Sequence, residues 1–125
     1  MCWQFPLLGI VVDFGHYFVH RAMHSKFWYE HIHYVHHSLN DGGPLTAYYS
    51  HPLDFLLGIT APVVLGWWTI HGDLKAFLVY VFLAQVGALY IHSGQSWLGN
   101  KWHYQHHAKL KRVYGLFGIS DFCLK

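Results

Sequence analysis

Residues 53–70 read L-D-F-L-L-G-I-T-A-P-V-V-L-G-W-W-T-I, and five residues later 76–91 read A-F-L-V-Y-V-F-L-A-Q-V-G-A-L-Y-I. The first run carries one formal charge, Asp54, and the second carries none. Runs this apolar are candidate membrane spans, although each is a little shorter than the roughly 20 residues that cross a bilayer unaided. His71-Gly72-Asp73 between them forms a turn, so the pair reads as a helical hairpin. Trp67 and Trp68 near that turn fit an aromatic belt at the interface. The competing reading, a soluble bundle with a greasy core, leaves residues 77–91 without a wet face.

Outward from the hairpin, residues 3–19 form a third apolar stretch, interrupted by Asp13 and His16. The expected fold is therefore an all-α membrane protein of about three transmembrane helices with a histidine-rich cytoplasmic cap. Its 125 residues are one domain's worth of chain, 1–125. Apolar residues make up 54% and charged residues 11%, against about 25% in ordinary soluble domains. Disorder is excluded by this composition. A net charge of +2 is too weak to point to nucleic acid. Cys2 and Cys123 lie at opposite ends with no C-x-x-C, so neither a disulfide framework nor a thiolate metal site is indicated. The N-terminus lacks a basic region and a small-residue cleavage site, so no signal peptide is expected.

Basic residues orient the spans. With three crossings, Arg21, Lys26, Lys101, Lys109, Lys111, Arg112 and Lys125 fall on one side and Lys75 on the other. The positive-inside rule makes the first side cytoplasmic. Twelve of the thirteen histidines lie in, or at the ends of, segments on that side, with His71 alone across the membrane.

These histidines cluster. His16 and His20 form an H-x-x-x-H, and residues four apart share one helix face. His33, His36 and His37 form an H-x-x-H-H, which His103, His106 and His107 repeat. A single i, i+4 pair is weak evidence, but two identical triplets plus that pair point to metal ligands. His92, where the third span ends, is the expected ninth ligand. His51 suits a helix start or contact with a ligand better than ligation, His24 and His31 suit ligand contacts or the surface, and His71 suits a turn. Nine imidazoles exceed the four ligands of a closed tetrahedral zinc, so a dinuclear site is expected. Imidazole suits iron, copper, nickel and zinc alike, so ligand type alone does not choose among them. No G-x-S-x-G, G-x-G-x-x-G or P-loop is present, and nothing in the chain suggests flavin or haem.

Asp13-Phe14-Gly15-His16-Tyr17-Phe18-Val19-His20-Arg21-Ala22-Met23-His24 resembles the first box, D-x-x-[WH]-Y-x-x-H-R-x-x-H, of the fatty acid hydroxylase/sterol desaturase superfamily. The His33 box follows at that family's usual distance. Ser50-His51-Pro52-Leu53-Asp54 is similar to its A-H-P-L-E segment, and Ile91-His92-Ser93-Gly94 to its I-H-S-G, especially in the sterol methyl oxidase branch. Tyr114-Gly115 and Asp121 resemble its tail. Ten residues between His92 and His103 are fewer than is usual there, which suggests a minimal or truncated version.

The resemblance implies two iron ions held by His16, His20, His33, His36, His37, His92, His103, His106 and His107. It implies that O2 is used to hydroxylate or desaturate a lipid C–H bond, of sterol or fatty-acyl type. Asp13, Tyr17, His24, His51, Tyr114 and Asp121 are candidates to touch and orient the ligands. Asp13 is expected to accept a hydrogen bond from a ligand imidazole, the alternative being a pairing with Arg21 or water. An external electron donor, a b-type cytochrome or ferredoxin, is expected on the basic face around residues 101–112. Two other classes stay open. A histidine-rich metal transporter or storage protein would place its ionisable groups near the bilayer midplane. A zinc hydrolase on the same cage would hold zinc and cleave esters.

Overall fold

The computed structural model describes residues 3–39, 43–93, 103, 106, 107, 110 and 113–124. Helix α1 spans Gln4–Met23. Helix α2 runs through an α turn Lys26–Trp28, a π turn Tyr29–His33 and an α turn Tyr34–His37. A 3-10 segment, Pro44–Tyr48, leads to α3, which comprises Pro52–Asp54, a π turn Phe55–Thr60 and Ala61–Thr69. Helix α4 spans Leu74–His92, and the short α5 spans Ile119–Cys123. No strand occurs among the described residues.

Local chemistry sets the hairpin. His51 precedes Pro52 and accepts at Nδ1 from the Leu53 amide, 3.2 Å away, so it caps the start of α3. The turn contains His71 at φ 49°. Asp73 then caps α4, its Oδ1 accepting from the Lys75 and Ala76 amides at 2.7 and 3.1 Å.

Helix α1 crosses α3 through two glycines. A Cβ on Gly15 would sit 3.2 Å from Pro62 Cβ, and one on Gly66 would sit 3.1 Å from Leu8 Cδ1. Small residues at such points let helix backbones approach closely. The core that forms around this crossing is Leu8, Val12 and Tyr80, with Phe5, Val63, Trp67, Ile70, Ala84 and Leu116 against it.

Pro52–Thr69 and Leu74–His92 are long and apolar enough to cross a membrane, close to the expected 53–70 and 76–91. Only 11% of the Leu74–His92 stretch is buried within the protein, and Leu78, Val79, Phe82, Leu83 and Val86 stand exposed on it. The third expected span, residues 3–19, falls on α1 from Gln4 onward, and α1 is less apolar than the two membrane-spanning candidates. Its inward face buries Asp13, His16 and His20 beside the apolar Leu8, Val12 and Met23.

Candidate metal centre

Helix α1 supplies the first part of the site because its polar residues recur every third or fourth position. Asp13, His16, Tyr17 and His20 are all buried, and His24 continues the stripe one turn on. Tyr17 accepts at its hydroxyl from Arg21 at 2.9 Å. Helix α2 adds His33, His36 and His37, and His92 stands at the end of α4. His103, His106 and His107, also helical, complete the set and are buried.

The imidazoles gather into two groups. His20, His24, His33, His37 and His106 offer nitrogens that all lie within 4.8 Å of one another. His36, His92, His103 and His107 form the second group on the same measure. An ion with metal–imidazole bonds of about 2.1 Å sets opposite nitrogens about 4.2 Å apart, so each group matches one ion. The groups adjoin, with ring centroids 4.5 Å apart for His37 and His107 and 4.7 Å apart for His36 and His107.

Each H-x-x-H-H is divided between the two positions, and in opposite senses. His33 and His37 face the first and His36 the second; His103 and His107 face the second and His106 the first. Helix geometry explains the split. Positions i and i+4 lie about 40° apart around the axis, whereas i+3 and i+4 lie about 100° apart. One helical turn can therefore serve two adjacent ions, but three imidazoles on it cannot meet at one.

The outward nitrogens fix the inward ones. His20 Nδ1 donates to the Tyr114 carbonyl at 2.9 Å, and His33 Nδ1 to Asp54 Oδ2 at 2.7 Å. His36 Nδ1 donates to the Tyr49 carbonyl at 3.3 Å, and His92 Nδ1 to the Ala88 carbonyl at 2.9 Å. Those oxygens only accept, so each Nδ1 carries the proton and each neutral ring turns an Nε2 lone pair inward. Inside, Nε2 atoms approach one another at 2.9 Å for His24 and His106 and 3.0 Å for His37 and His33. At the second position the distances are 3.1 Å for His103 and His92 and 3.0 Å for His107 and His103. At His33 and His92, where Nδ1 carries the proton, the inward Nε2 is a lone pair set against a neighbouring imidazole, so the donor set fits a divalent metal. Burial, reinforced by His33 and His106, lowers the His24 pKa to about 3. Burial and His92 lower His36 to about 4. Burial, then the neighbouring imidazoles, also drives His37 and His103 far below the ordinary range. At neutral pH these rings are unprotonated and free to ligate.

Several sequence expectations meet different geometry. His16 lines the small cavity beside His20, His33, His36, His92 and His103, but its nitrogens belong to neither group. Its Nδ1 donates to the Gly58 carbonyl at 2.6 Å. That carbonyl precedes Pro62 by four residues, and proline has no N–H to give it. His24, expected to contact a ligand or lie at the surface, stands in the first group instead, because the helix carries the i, i+4 series on from His20. Asp13 meets neither a ligand imidazole nor Arg21; its carboxylate accepts from the Phe117 and Ser120 amides at 2.6 and 2.8 Å. Its position on α1 faces the 113–124 segment, two of whose amides it binds. Tyr114 packs its ring against His20, His24 and His106. His51 stands at the start of α3, as described above. Asp54 stood in the sequence as a charge in an apolar run and the last residue of the A-H-P-L-E-like segment, with no role assigned, and it is the carboxylate on His33. Lys101, Lys109, Lys111 and Arg112, the basic face, lie outside the described residues.

An apolar cavity of about 630 Å³ lies among α1, α3 and α4, walled by side chains such as Phe5, Val12, Val63, Phe77 and Val81. It shares Phe55, Ile59, Ala88, Ile91 and Leu116 with the smaller space beside the imidazoles. The two spaces are thus separated by common apolar side chains.

Comparison with known proteins finds curated relatives. A C-4 methylsterol oxidase, erg25, of Schizosaccharomyces pombe is 33% identical over 89% of this chain and 42% of its own length. Methylsterol monooxygenase erg25B of Aspergillus fumigatus is 32% identical over 87% of the chain and 42% of its own. Methylsterol monooxygenase 1-1 of Arabidopsis thaliana is 33% identical over 75% of the chain and 31% of its own. The chain thus spans less than half the length of these curated relatives. No solved structure matches it. The model of the fatty acid hydroxylase family matches residues 5–125, nearly the whole chain, and the chain belongs to that family.

Proposed function

We propose that this chain is the metal-bearing core of a membrane oxidoreductase that uses O2 to hydroxylate or desaturate a lipid C–H bond. The observation that carries the reading is the pair of adjoining imidazole nests, with protonated Nδ1 atoms held outward and Nε2 lone pairs turned inward. His20, His24, His33, His37 and His106 would hold one iron, and His36, His92, His103 and His107 the other. His16 is the further imidazole beside both. When bound, two irons supply the activation of O2 and the removal of hydrogen from an unactivated C–H bond, with electrons from an external donor.

The chain's own residues bind, orient and exclude water. Asp54 and the Tyr114, Tyr49 and Ala88 carbonyls hold imidazoles in their ligating tautomer. The apolar cavity suits a lipid body, and Phe55, Ile59, Ala88, Ile91 and Leu116 bring it against the imidazole side. A sterol-type lipid is favoured by the names of the relatives, and the cavity's apolar walls accord with it. α3 and α4 would cross the bilayer, with α1 as a third, polar-faced crossing and the histidines on the cytoplasmic side. A b-type cytochrome or ferredoxin would dock on the basic residues 101–112.

Metal analysis with a product assay tests the reading. Purified chain in detergent should hold two irons and, with a reductase system, should oxidise a methylsterol or fatty-acyl lipid. Stoichiometric zinc with ester cleavage would instead make it a hydrolase. Metal binding with transport and no oxidised lipid would make it a carrier.

A further inference from the structure

Asp121 bonds to no imidazole, yet it grips the peptide group on which His20 leans. Its Oδ1 accepts from the Tyr114 amide at 2.8 Å and its Oδ2 from the Gly115 amide at 2.7 Å. The Gly115 N–H and the Tyr114 carbonyl belong to one planar peptide. On the far side of that plane, the Tyr114 carbonyl accepts from His20 Nδ1 at 2.9 Å. The chain of bonds therefore runs carboxylate, peptide N–H, peptide carbonyl, imidazole N–H, ring Nε2. Hydrogen bonds in series polarise one another, so negative charge at Asp121 makes the carbonyl a stronger acceptor and His20 a more basic ligand. At His33 the carboxylate of Asp54 acts on the ring directly; at His20 one peptide stands between.

The surroundings hold this peptide in place. Asp13, fully buried on α1, takes the Phe117 and Ser120 amides, which pins the following segment to the helix that carries His20. Asp13 and His20 are seven residues apart on one face, about 10 Å along the axis. Only glycine fits at position 115, because an added Cβ would collide with the Ser120 hydroxyl and lie 3.0 Å from both Asp121 Oδ2 and Asp13 Oδ1. Val113, just before Tyr114, sits at φ 60°, a conformation that a β-branched residue adopts only when its surroundings impose it.

We propose that Asp121 is a positioning residue for the first metal position, acting on His20 through the Tyr114–Gly115 peptide, with Asp13 anchoring the segment. The inference rests on the two-metal reading above.

Cobalt(II) titration of the full chain in detergent, followed by visible absorption, tests it. His92→Ala weakens the second position, so the first is read alone in that background; His20→Ala provides the reverse. Adding Asp121→Asn should weaken cobalt binding at the first position about 10-fold, near the low end for a lost ligand-orienting partner, and should leave the second position unchanged. Gly115→Ala should act in the same direction. Unchanged affinity at the first position would overturn the proposal, as would equal weakening at both, which marks general loosening. Should Gly115→Ala fail to fold, Asp121→Asn decides alone, since that side chain is only partly buried and the amide keeps its shape. A parent chain that binds fewer than two equivalents would sink the two-metal reading itself, a result separate from either of these.

Discussion

At the first metal position the imidazoles are steered from far along the chain, whereas at the second they are steered from nearby. His33 leans on Asp54, 21 residues away, and His20 on Tyr114, 94 residues away. His92 bonds the carbonyl of Ala88 in its own helix, four residues back, and His36 reaches Tyr49, thirteen residues on, at 3.3 Å. The first position has a full carboxylate behind one ligand; the second has carbonyls behind both of these. The difference teaches that one ion depends on the tertiary fold for its orientation, while the other depends mainly on helix ends and a short loop.

Removal of a ligand should break either position outright. His37→Ala should cost the first ion and His107→Ala the second, each by more than the roughly 100-fold that marks loss of an orienting partner. Oxidation should stop in both. Iron per chain, measured on variants that express normally, should fall from two to one, and full activity in His107→Ala would refute the assignment.

Asp54→Asn sharpens the contrast. It keeps an acceptor oxygen but removes the charge, so affinity should fall about 10–100-fold at the first position only. Position-resolved metal titration reads this, and equal loss at both would erase the asymmetry.

The helix crossing behind both positions gives a smaller effect. Gly15→Ala would press a methyl group against Pro62 and separate α1 from α3, costing about 1–3 kcal/mol. Thermal unfolding in detergent should show a lowered midpoint.

Acid should act on the metal-free chain at both positions. His24 and His36 have folded pKa values of about 3 and 4, below the unfolded value near 6.5. Above pH 6.5 both states are neutral at these rings. As pH falls through 6.5 the unfolded chain takes up protons first, so stability should decline from there towards pH 4. Unfolding midpoints of metal-free protein at pH 7.5 and 5 measure this; equal midpoints would contradict it. The smallest effect is expected at the exposed turn. His71→Ala should change stability by no more than about 0.5 kcal/mol and leave metal content alone.

The apolar hairpin was legible because hydropathy is a local property. Residues 53–70 and 76–91 announce it without reference to any partner, and the observed helices differ only by a residue or two at each end. Apolarity read over 3–19 was less informative, since α1 buries Asp13, His16 and His20 on one face. The π turns at Tyr29–His33 and Phe55–Thr60 carried no recognisable signal, although both adjoin the imidazoles. Pro62 was a missed clue, because a proline deprives the carbonyl four residues earlier of its donor, and that carbonyl holds His16.

By itself the sequence determined the helical class, the hairpin, the histidine-rich composition and a dinuclear expectation. The division of each H-x-x-H-H between two ions came from the structure. Only the tertiary structure decided that His24 joins His20, that Asp54 faces His33, and that Asp13 and Asp121 hold the segment beneath His20. The physical reason is the range of the interaction. Hydropathy and helical periodicity act over a few neighbouring residues, whereas Asp13 lies 104 and 107 residues from the amides it binds, and no spacing rule reaches that far.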